Sequence, residues 1–82
     1  MRLDKYLKVA RIIKRRTVAN DACDASHVTV NGRAAKASYD VKVGDEITVQ
    51  FGTRTLTVRV KNVADNVGKA DASTLYEIIG QS

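Results

Sequence analysis

The first sixteen residues carry half of the positive charge of this chain. They hold seven of its fourteen lysines and arginines and a single acid, Asp4, so their net charge is +6, whereas residues 17–82 sum to −1. The seven basic residues are Arg2, Lys5, Lys8, Arg11, Lys14, Arg15 and Arg16. Guanidinium and ammonium groups bind phosphate oxygens, and a planar guanidinium can do so through two parallel hydrogen bonds. This local basic surface predicts a polyanionic partner: nucleic acid, an acidic membrane surface or an acidic protein.

We expect a first helix over residues 3–13, which would carry several of these basic side chains. Its apolar side chains fall on one side of a helical wheel, and basic side chains fall on the other. The basic side consists of Lys5, Lys8 and Arg11. Asp4 lies in the first turn, where a carboxylate is favourable. We expect Asp4 to orient Arg2 or Lys8, and not to act as a general acid or base.

A second helix is expected over about residues 15–25. Its apolar stripe consists of Val18, Ala22 and Ala25, with Ala19 and Cys23 beside it. Such small side chains favour close packing against the first helix. The two helices then form a hairpin, with Lys14, Arg15 and Arg16 at the bend.

Other residue types that could support chemistry are few. Cys23 and His27 are the only pair of soft metal ligands, whereas structural zinc takes four ligands and catalytic zinc usually three. Asp24, Ser26 and His27 are the three residue types of a hydrolase catalytic triad. Residues so close in sequence cannot bring their side chains together in the geometry that a triad requires. We therefore expect no catalytic residue, no metal and no cofactor, and we expect Cys23 to lie between the helices.

The apolar periodicity changes from helical to alternating after residue 26. Asn31-Gly32 is a strong signal for a two-residue hairpin turn, because both residues accept a positive φ. The pattern predicts about five short strands, with a polar loop over 64–73, and hence an α+β fold with a mostly antiparallel sheet. The strand residues expected to face the core are Ile47, Val49, Phe51, Leu56, Val58 and Val60, and Tyr76 and Ile78 are expected on one face.

Composition narrows the class of protein further. The 82 residues suit a single domain, and one cysteine excludes a disulfide scaffold and favours a reducing compartment. Basic residues interrupt every apolar run near the N-terminus, so neither a secretory signal nor a membrane span is expected. The chain has no tryptophan, one phenylalanine and three tyrosines, which argues against a single-strand binder that stacks bases. Tyr6 is expected in the core.

Four motifs together resemble the S4 RNA-binding domain, also called the αL motif. They are Arg2–Leu7 (RLDKYL), Arg16 with Ala19, Val30–Gly32 (VNG) and Val41–Asp45 (VKVGD). The resemblance covers about residues 2–49, with residues 50–79 as further strands, and it implies one S4 domain over 1–82.

The same resemblance implies which residues bind RNA. Those matching the family's phosphate-binding positions are Arg2, Lys5, Lys8, Arg15 and Arg16. Arg11 and Lys14 extend this basic face. Arg33 and Lys36 flank the predicted hairpin, and for them both RNA contact and solvated surface stay open. A face of this kind recognises the shape and charge of folded RNA and not its base sequence.

Two residues depart from the family pattern. Ser26 stands where glycine usually ends the second helix, so this residue must either adopt a left-handed conformation or end the helix differently. Arg15 stands where serine is common. These departures affect the local loop geometry and leave the basic face intact.

The chain as a whole is similar to the small S4 proteins of the heat-shock protein 15 / RqcP (YabO) family. This resemblance implies a cytoplasmic, non-enzymatic factor of ribosome-associated quality control. Its partners would be 23S rRNA and peptidyl-tRNA on obstructed 50S subunits and an RqcH-type tailing factor, whose alanine tailing of stalled chains it would support. Off the ribosome we expect a monomer with no membrane partner.

Two alternatives remain open from the sequence. One is a generic S4 module that binds rRNA in ribosome assembly or RNA modification. The other, from a different class, is an adaptor whose basic helix binds a membrane surface or an acidic protein. Against the second stands the absence of tryptophan and phenylalanine anchors from that helix.

Overall fold

The computed structural model describes residues 1–63 and 75–81. Two helices, α1 (Leu3–Val9) and α2 (Arg16–Asp24), precede five strands. The strands are β1 (Val28–Val30), β2 (Arg33–Ala34), β3 (Glu46–Phe51), β4 (Arg54–Val60) and β5 (Tyr76–Gln81). They form an antiparallel sheet in the order β2-β1-β3-β4-β5, which confirms the predicted α+β fold. The loop predicted over 64–73 lies outside the described residues.

The core lies between the helices and one face of the sheet. Helix α1 contributes Leu3, Tyr6 and Leu7, all fully buried, and they belong to one cluster with strand residues such as Ile47 and Val58. Tyr6 is a core residue, as predicted, and its hydroxyl donates a hydrogen bond of 2.6 Å to the carbonyl oxygen of Leu75. This bond joins the first helix to the residue before the last strand.

Helix α1 ends at Val9, four residues earlier than predicted. Arg11 adopts a left-handed φ of 60° and donates its N–H to the carbonyl of Lys8, while the N–H of Ile12 bonds to Leu7. These two bonds form a Schellman motif, which usually has glycine at the left-handed position. The early end turns Ile12 and Ile13 into the core, whereas a longer helix would have placed Ile12 among the basic side chains.

Helix α2 ends at Asp24 in the same way, with Ser26 in the left-handed conformation that was the first of the two alternatives left open by the sequence. The φ of Ser26 is 62°, its N–H bonds to the carbonyl of Cys23, and the N–H of His27 bonds to Ala22. A side chain in this left-handed conformation is strained, because Cβ approaches the following carbonyl oxygen.

Replacing Ser26 by glycine should therefore stabilise the protein. We expect the free energy of unfolding to rise by about 0.5–1 kcal/mol, because glycine has no Cβ to strain. Urea denaturation followed by circular dichroism measures the difference. Ser38, which is not among the positive-φ residues, provides the matched control: Ser38→Gly should lower stability. Equal effects of the two substitutions would contradict this account of the helix end.

The buried stripe of α2 differs from the prediction. Ala19 and Cys23 are buried, whereas Val18 is 49% exposed. Positions 19 and 23 are one turn apart, so the helix packs along that line of small side chains and rotates Val18 outward. Phe51 also departs from the prediction, since it is 42% exposed at the last residue of β3. Val18 and Phe51 line an open groove of about 500 Å³ that also borders Ile12.

The β1–β2 hairpin confirms the turn prediction, with φ of 53° at Asn31 and 82° at Gly32. The side chain of Asn31 has a second role. Its Nδ2 donates to Oδ1 of Asp45 at 3.2 Å, and its Oδ1 accepts the N–H of Glu46 at 3.0 Å. Tyr39 donates its hydroxyl to the other Asp45 oxygen at 2.9 Å. The VNG and VKVGD motifs thus bind each other and hold the hairpin against β3.

The last strand pairs with β4 as an edge strand. Tyr76 lies opposite Val60 and Ile78 opposite Val58, which confirms that these two β5 residues share a face. Ile78 is nevertheless 55% exposed at the edge of the sheet, since β4 is the one neighbour of β5 among the described strands.

Candidate nucleic-acid interface

A buried carboxylate joins two arginines, one immediately before α1 and the other at the start of α2. The side chain of Asp4 is 3% exposed, and its two oxygens accept hydrogen bonds of 3.2 and 3.3 Å from Nε and Nη2 of Arg2. Nε of Arg16 forms an ion pair of 3.4 Å with Oδ2 of the same carboxylate. The structure therefore brings Arg2 and Arg16 side by side, although fourteen positions separate them. We call Arg2, Asp4 and Arg16 the arginine pair site.

Two further donors complete the surroundings of Asp4. The backbone N–H of Lys5 donates to Oδ1 at 2.7 Å, and Nδ2 of Asn20 donates to Oδ2 at 3.4 Å. Burial alone would raise the pKa of Asp4, but the hydrogen bonds from Arg2, Asn20, Lys5 and Arg16 outweigh it and hold the pKa below its usual value. The carboxylate is therefore ionised at neutral pH. From the sequence, we expected Asp4 to orient Arg2 or Lys8. The structure shows Arg2 bound to Asp4 and adds Arg16 from α2 as a second partner.

The two guanidinium groups remain accessible to a ligand. The side chain of Arg2 is 50% exposed and that of Arg16 is 45% exposed. They line a groove of about 400 Å³ whose other lining residues are Asp4, Thr17, Asn20 and Asp21. Each guanidinium has five N–H donors, and the bonds to Asp4 occupy only part of them. The remaining donors can bind phosphate oxygens.

The backbone around the site is tied down by a neighbouring loop. The N–H groups of Leu3 and Asp4 donate to the carbonyls of Tyr39 and Ala37 at 2.8 and 3.2 Å. At the N-terminus, the α-ammonium group of Met1 binds Asp40 at 2.8 Å. These bonds fix the start of α1. Lys36 directly precedes Ala37, whose carbonyl accepts the N–H of Asp4.

The other predicted site residues lie on α1, in the turn between the helices and beside the β1–β2 hairpin. Lys5 is half-buried on α1, and Lys8 is exposed in its last turn. The turn between the helices exposes Arg11, Lys14 and Arg15. Arg33 and Lys36 are exposed along a separate concavity of about 670 Å³ behind the hairpin, together with Tyr39. Within this predicted face, Arg2 and Arg16 are joined by their side-chain contacts with Asp4.

Sequence reasoning missed Asn20, although a local signal exists. Asn20 lies four residues after Arg16 on α2, and positions i and i+4 share one face of a helix. Its role depends on Asp4, which comes from the other helix, so only the packing of α1 against α2 shows it.

Cys23 and His27 have different surroundings. Cys23 is 4% exposed in the core, as predicted, whereas His27 is exposed in the loop after α2. Over residues 1–63 and 75–81, no three histidine, cysteine, aspartate or glutamate side chains are grouped as metal ligands. In the same ranges, no helix has the length and apolar character needed to cross a bilayer.

The thiol of Cys23 should react slowly in the native protein. Burial, with the charges of Asp4 and Asp24, raises its pKa from 9.0 to about 11. The thiolate is the nucleophile, so two units of pKa lower its population roughly a hundredfold at pH 8. We expect a disulfide reagent to label native protein over many minutes and protein in guanidinium chloride within seconds. Stoichiometric labelling of the native protein within seconds would contradict the core position of Cys23.

Comparison with known proteins identifies the family. The model of the S4 domain matches residues 1–47, more than half of the chain. This protein belongs to the S4 domain family, which confirms the resemblance inferred from its four motifs.

Within that family it resembles proteins named RQC P-site tRNA stabilizing factor. The one from Halalkalibacterium halodurans is 54% identical over 78 residues, covering 95% of this chain and 89% of the relative. The one from Streptococcus pneumoniae is 51% identical over 82 residues, covering 100% and 93%.

A solved structure supports the same placement. Heat shock protein 15 from Vibrio cholerae, described as trimeric, has a TM-score of 0.88 and 34% sequence identity. The match covers 95% of this chain and 80% of that protein. The predicted similarity to the group that includes heat-shock protein 15 is therefore confirmed in both sequence and fold.

Proposed function

We propose that this protein is a non-enzymatic RNA-binding factor of ribosome-associated quality control. It binds rRNA and peptidyl-tRNA on obstructed 50S subunits and thereby supports C-terminal alanine tailing of stalled nascent chains. The observation that carries the proposal is the arginine pair site within a chain more than 50% identical to proteins named RQC P-site tRNA stabilizing factor.

The chemistry of the arginine pair site suits this role. A stabiliser of P-site tRNA must accept tRNAs of different sequence, so it must bind features that all tRNAs share. Phosphates are such a feature, and two guanidinium groups held at a fixed separation recognise their spacing without contacting bases. The other exposed basic residues of the predicted face strengthen the attraction to RNA over a distance set by the salt concentration.

The remaining parts of the proposal follow from the same assignment. The face would comprise Arg2, Lys5, Lys8, Arg11, Lys14, Arg15, Arg16, Arg33 and Lys36. Its RNA partners would be 23S rRNA and the bound tRNA, and an RqcH-type factor would deliver the tailing tRNAs. Such a factor acts in the cytoplasm, and off the ribosome it would be monomeric.

Purification of the tagged protein from translation-stressed cells tests the proposal. Sequencing of the bound RNA should return 23S rRNA and tRNA together, with 16S rRNA depleted. The Arg2→Ala/Arg16→Ala variant, expressed at the same level, should lose both. Recovery of 16S rRNA in equal amount would favour the generic S4 module of ribosome assembly.

The adaptor alternative has its own test. The wild-type protein is mixed with vesicles containing anionic lipid or with 50S subunits at the same physiological salt concentration. Flotation with the vesicles, without binding to the subunits, would replace the RNA-binding proposal by the membrane-surface alternative. Binding to the subunits alone supports the proposal.

A further inference from the structure

Asp4 is an acidic residue within the basic surface that is proposed to bind phosphate. Among the described residues it is the one buried charged side chain, and it lies directly beneath the two arginines. By charge alone, a carboxylate at this position repels RNA and neutralises part of the attraction from Arg2 and Arg16. Its bonds to both arginines therefore require a reason other than net charge.

The geometry offers that reason. Arg2 and Arg16 have the same charge, lie side by side and are half exposed, so without a shared anion they would repel each other and spread into solvent. Each long side chain has many rotamers, and binding RNA would then have to order both. Asp4 removes this requirement in advance, because one carboxylate takes Nε and Nη2 of Arg2 and Nε of Arg16. The free ends of both guanidinium groups then lie along the groove at a set separation.

Asn20 supports Asp4 without adding charge. Its amide donates to the same oxygen, Oδ2, that pairs with Arg16. The backbone N–H of Lys5 holds the other oxygen at 2.7 Å. The carboxylate is thus fixed from both helices, and so are the arginines that bind it.

We propose that Asp4, supported by Asn20, is a positioning residue for RNA binding that holds Arg2 and Arg16 as one preorganised two-armed phosphate clamp. This inference rests on the proposed RNA-binding function and adds a consequence that charge alone does not predict. Removing the negative charge of Asp4 weakens binding, although the protein becomes more basic.

The test compares two substitutions that change the net charge equally. Asp4→Asn keeps the size of the side chain but points an amide toward the guanidinium groups. Its Kd for fluorescently labelled bulk tRNA should rise about three- to tenfold, the range for the net loss of one typical hydrogen bond. Asp21→Asn removes the same charge from an exposed residue of the same groove, and binding should tighten by up to about twofold.

Two further variants separate positioning from folding. Asn20→Ala leaves every charge in place and should still weaken binding, by about twofold, because it releases Oδ2 of Asp4. Introduced into the Arg2→Ala/Arg16→Ala background, Asp4→Asn should not weaken tRNA binding any further, because there are no arginines left to position. A merely structural role of Asp4 would lower the affinity in both backgrounds. Circular dichroism at the assay temperature checks that each variant is folded.

The outcomes distinguish the two proposals. If the arginine variants lose tRNA binding and Asp4→Asn binds as tightly as wild type or more tightly, positioning by Asp4 is wrong and the RNA-binding function stands. If Asp4→Asn lowers the affinity equally in both backgrounds, positioning is likewise wrong. If the arginine variants bind tRNA like the wild type, the proposed interface itself is wrong.

Discussion

Replacing both Arg2 and Arg16 by alanine should weaken the binding of folded tRNA by about 2–4 kcal/mol, or roughly 30- to several hundred-fold in Kd. Each arginine is expected to make a charge-assisted bond to phosphate, and each single substitution should cost roughly 1–2 kcal/mol. The expected range for the double variant is the sum of the two single effects, and a departure from that sum would measure the coupling of the two side chains through Asp4. Filter binding or fluorescence anisotropy measures the affinities.

The salt dependence gives an independent readout of the same variant. On double-stranded RNA, the slope of log K against log salt should fall by about 0.9 for each phosphate that the variant no longer binds. The control is Arg54→Ala/Arg59→Ala, which removes two positive charges from β4, where Arg59 pairs with Glu46 and Glu77. It should keep most of the affinity and the slope. An arginine pair variant with an unchanged slope would contradict phosphate binding at the site.

Tyr6→Phe should lower the free energy of unfolding by about 1–3 kcal/mol. The substitution keeps the ring but leaves the carbonyl of Leu75 without the hydroxyl that binds it at 2.6 Å in a fully buried position. For a domain of this size, each kcal/mol corresponds to a shift of about 4–8 °C in Tm. Thermal denaturation followed by circular dichroism measures the shift.

The same chemical change at Tyr39 is the control. Its hydroxyl binds Asp45 at 2.9 Å, but the residue is only half-buried, so water can replace the missing bond. Tyr39→Phe should lower stability by less than about 1 kcal/mol. If both variants lose the same stability, the buried bond to Leu75 does not have the importance assigned to it.

The sheet could be predicted because its signals are local. Asn31-Gly32 supplies the two positive φ values of a tight hairpin, and alternation between apolar and polar residues indicates the inward faces. The structure confirms the hairpin turn, and it buries Ile47 and Val49 as the alternation indicates. Phe51 follows the same alternation yet is exposed, because it lies at the last residue of β3, where the strand meets its turn.

The helix ends could not be predicted in the same way. Both helices end in a Schellman motif, but Arg11 and Ser26 occupy the position where glycine is the usual signal. The end of α1 is determined by tertiary packing, because it brings Ile12 and Ile13 into the core. No local pattern around Arg11 contains that information.

The candidate site, like the fold, could be predicted from the sequence only in part. The sequence could indicate that Arg2 and Arg16 lie on one basic face, and the resemblance to the S4 domain strengthened this prediction. The sequence offered Arg2 or Lys8 as a partner of Asp4, whereas the structure shows Arg2 and adds Arg16 and Asn20 from α2. This addition depends on how α2 packs against α1, and a pattern within one helix cannot supply it.

The central claim is binding to large subunits that retain peptidyl-tRNA, and sedimentation with purified particles tests it most directly. The tagged protein is mixed separately with 30S subunits, 70S ribosomes, empty 50S subunits and 50S subunits carrying peptidyl-tRNA, and each mixture is run on a sucrose gradient. We expect wild-type protein to sediment with the peptidyl-tRNA-bearing 50S subunits, and the Arg2→Ala/Arg16→Ala variant to stay at the top. Equal sedimentation of wild-type protein with all four particles, or undiminished binding of the variant, would contradict the account.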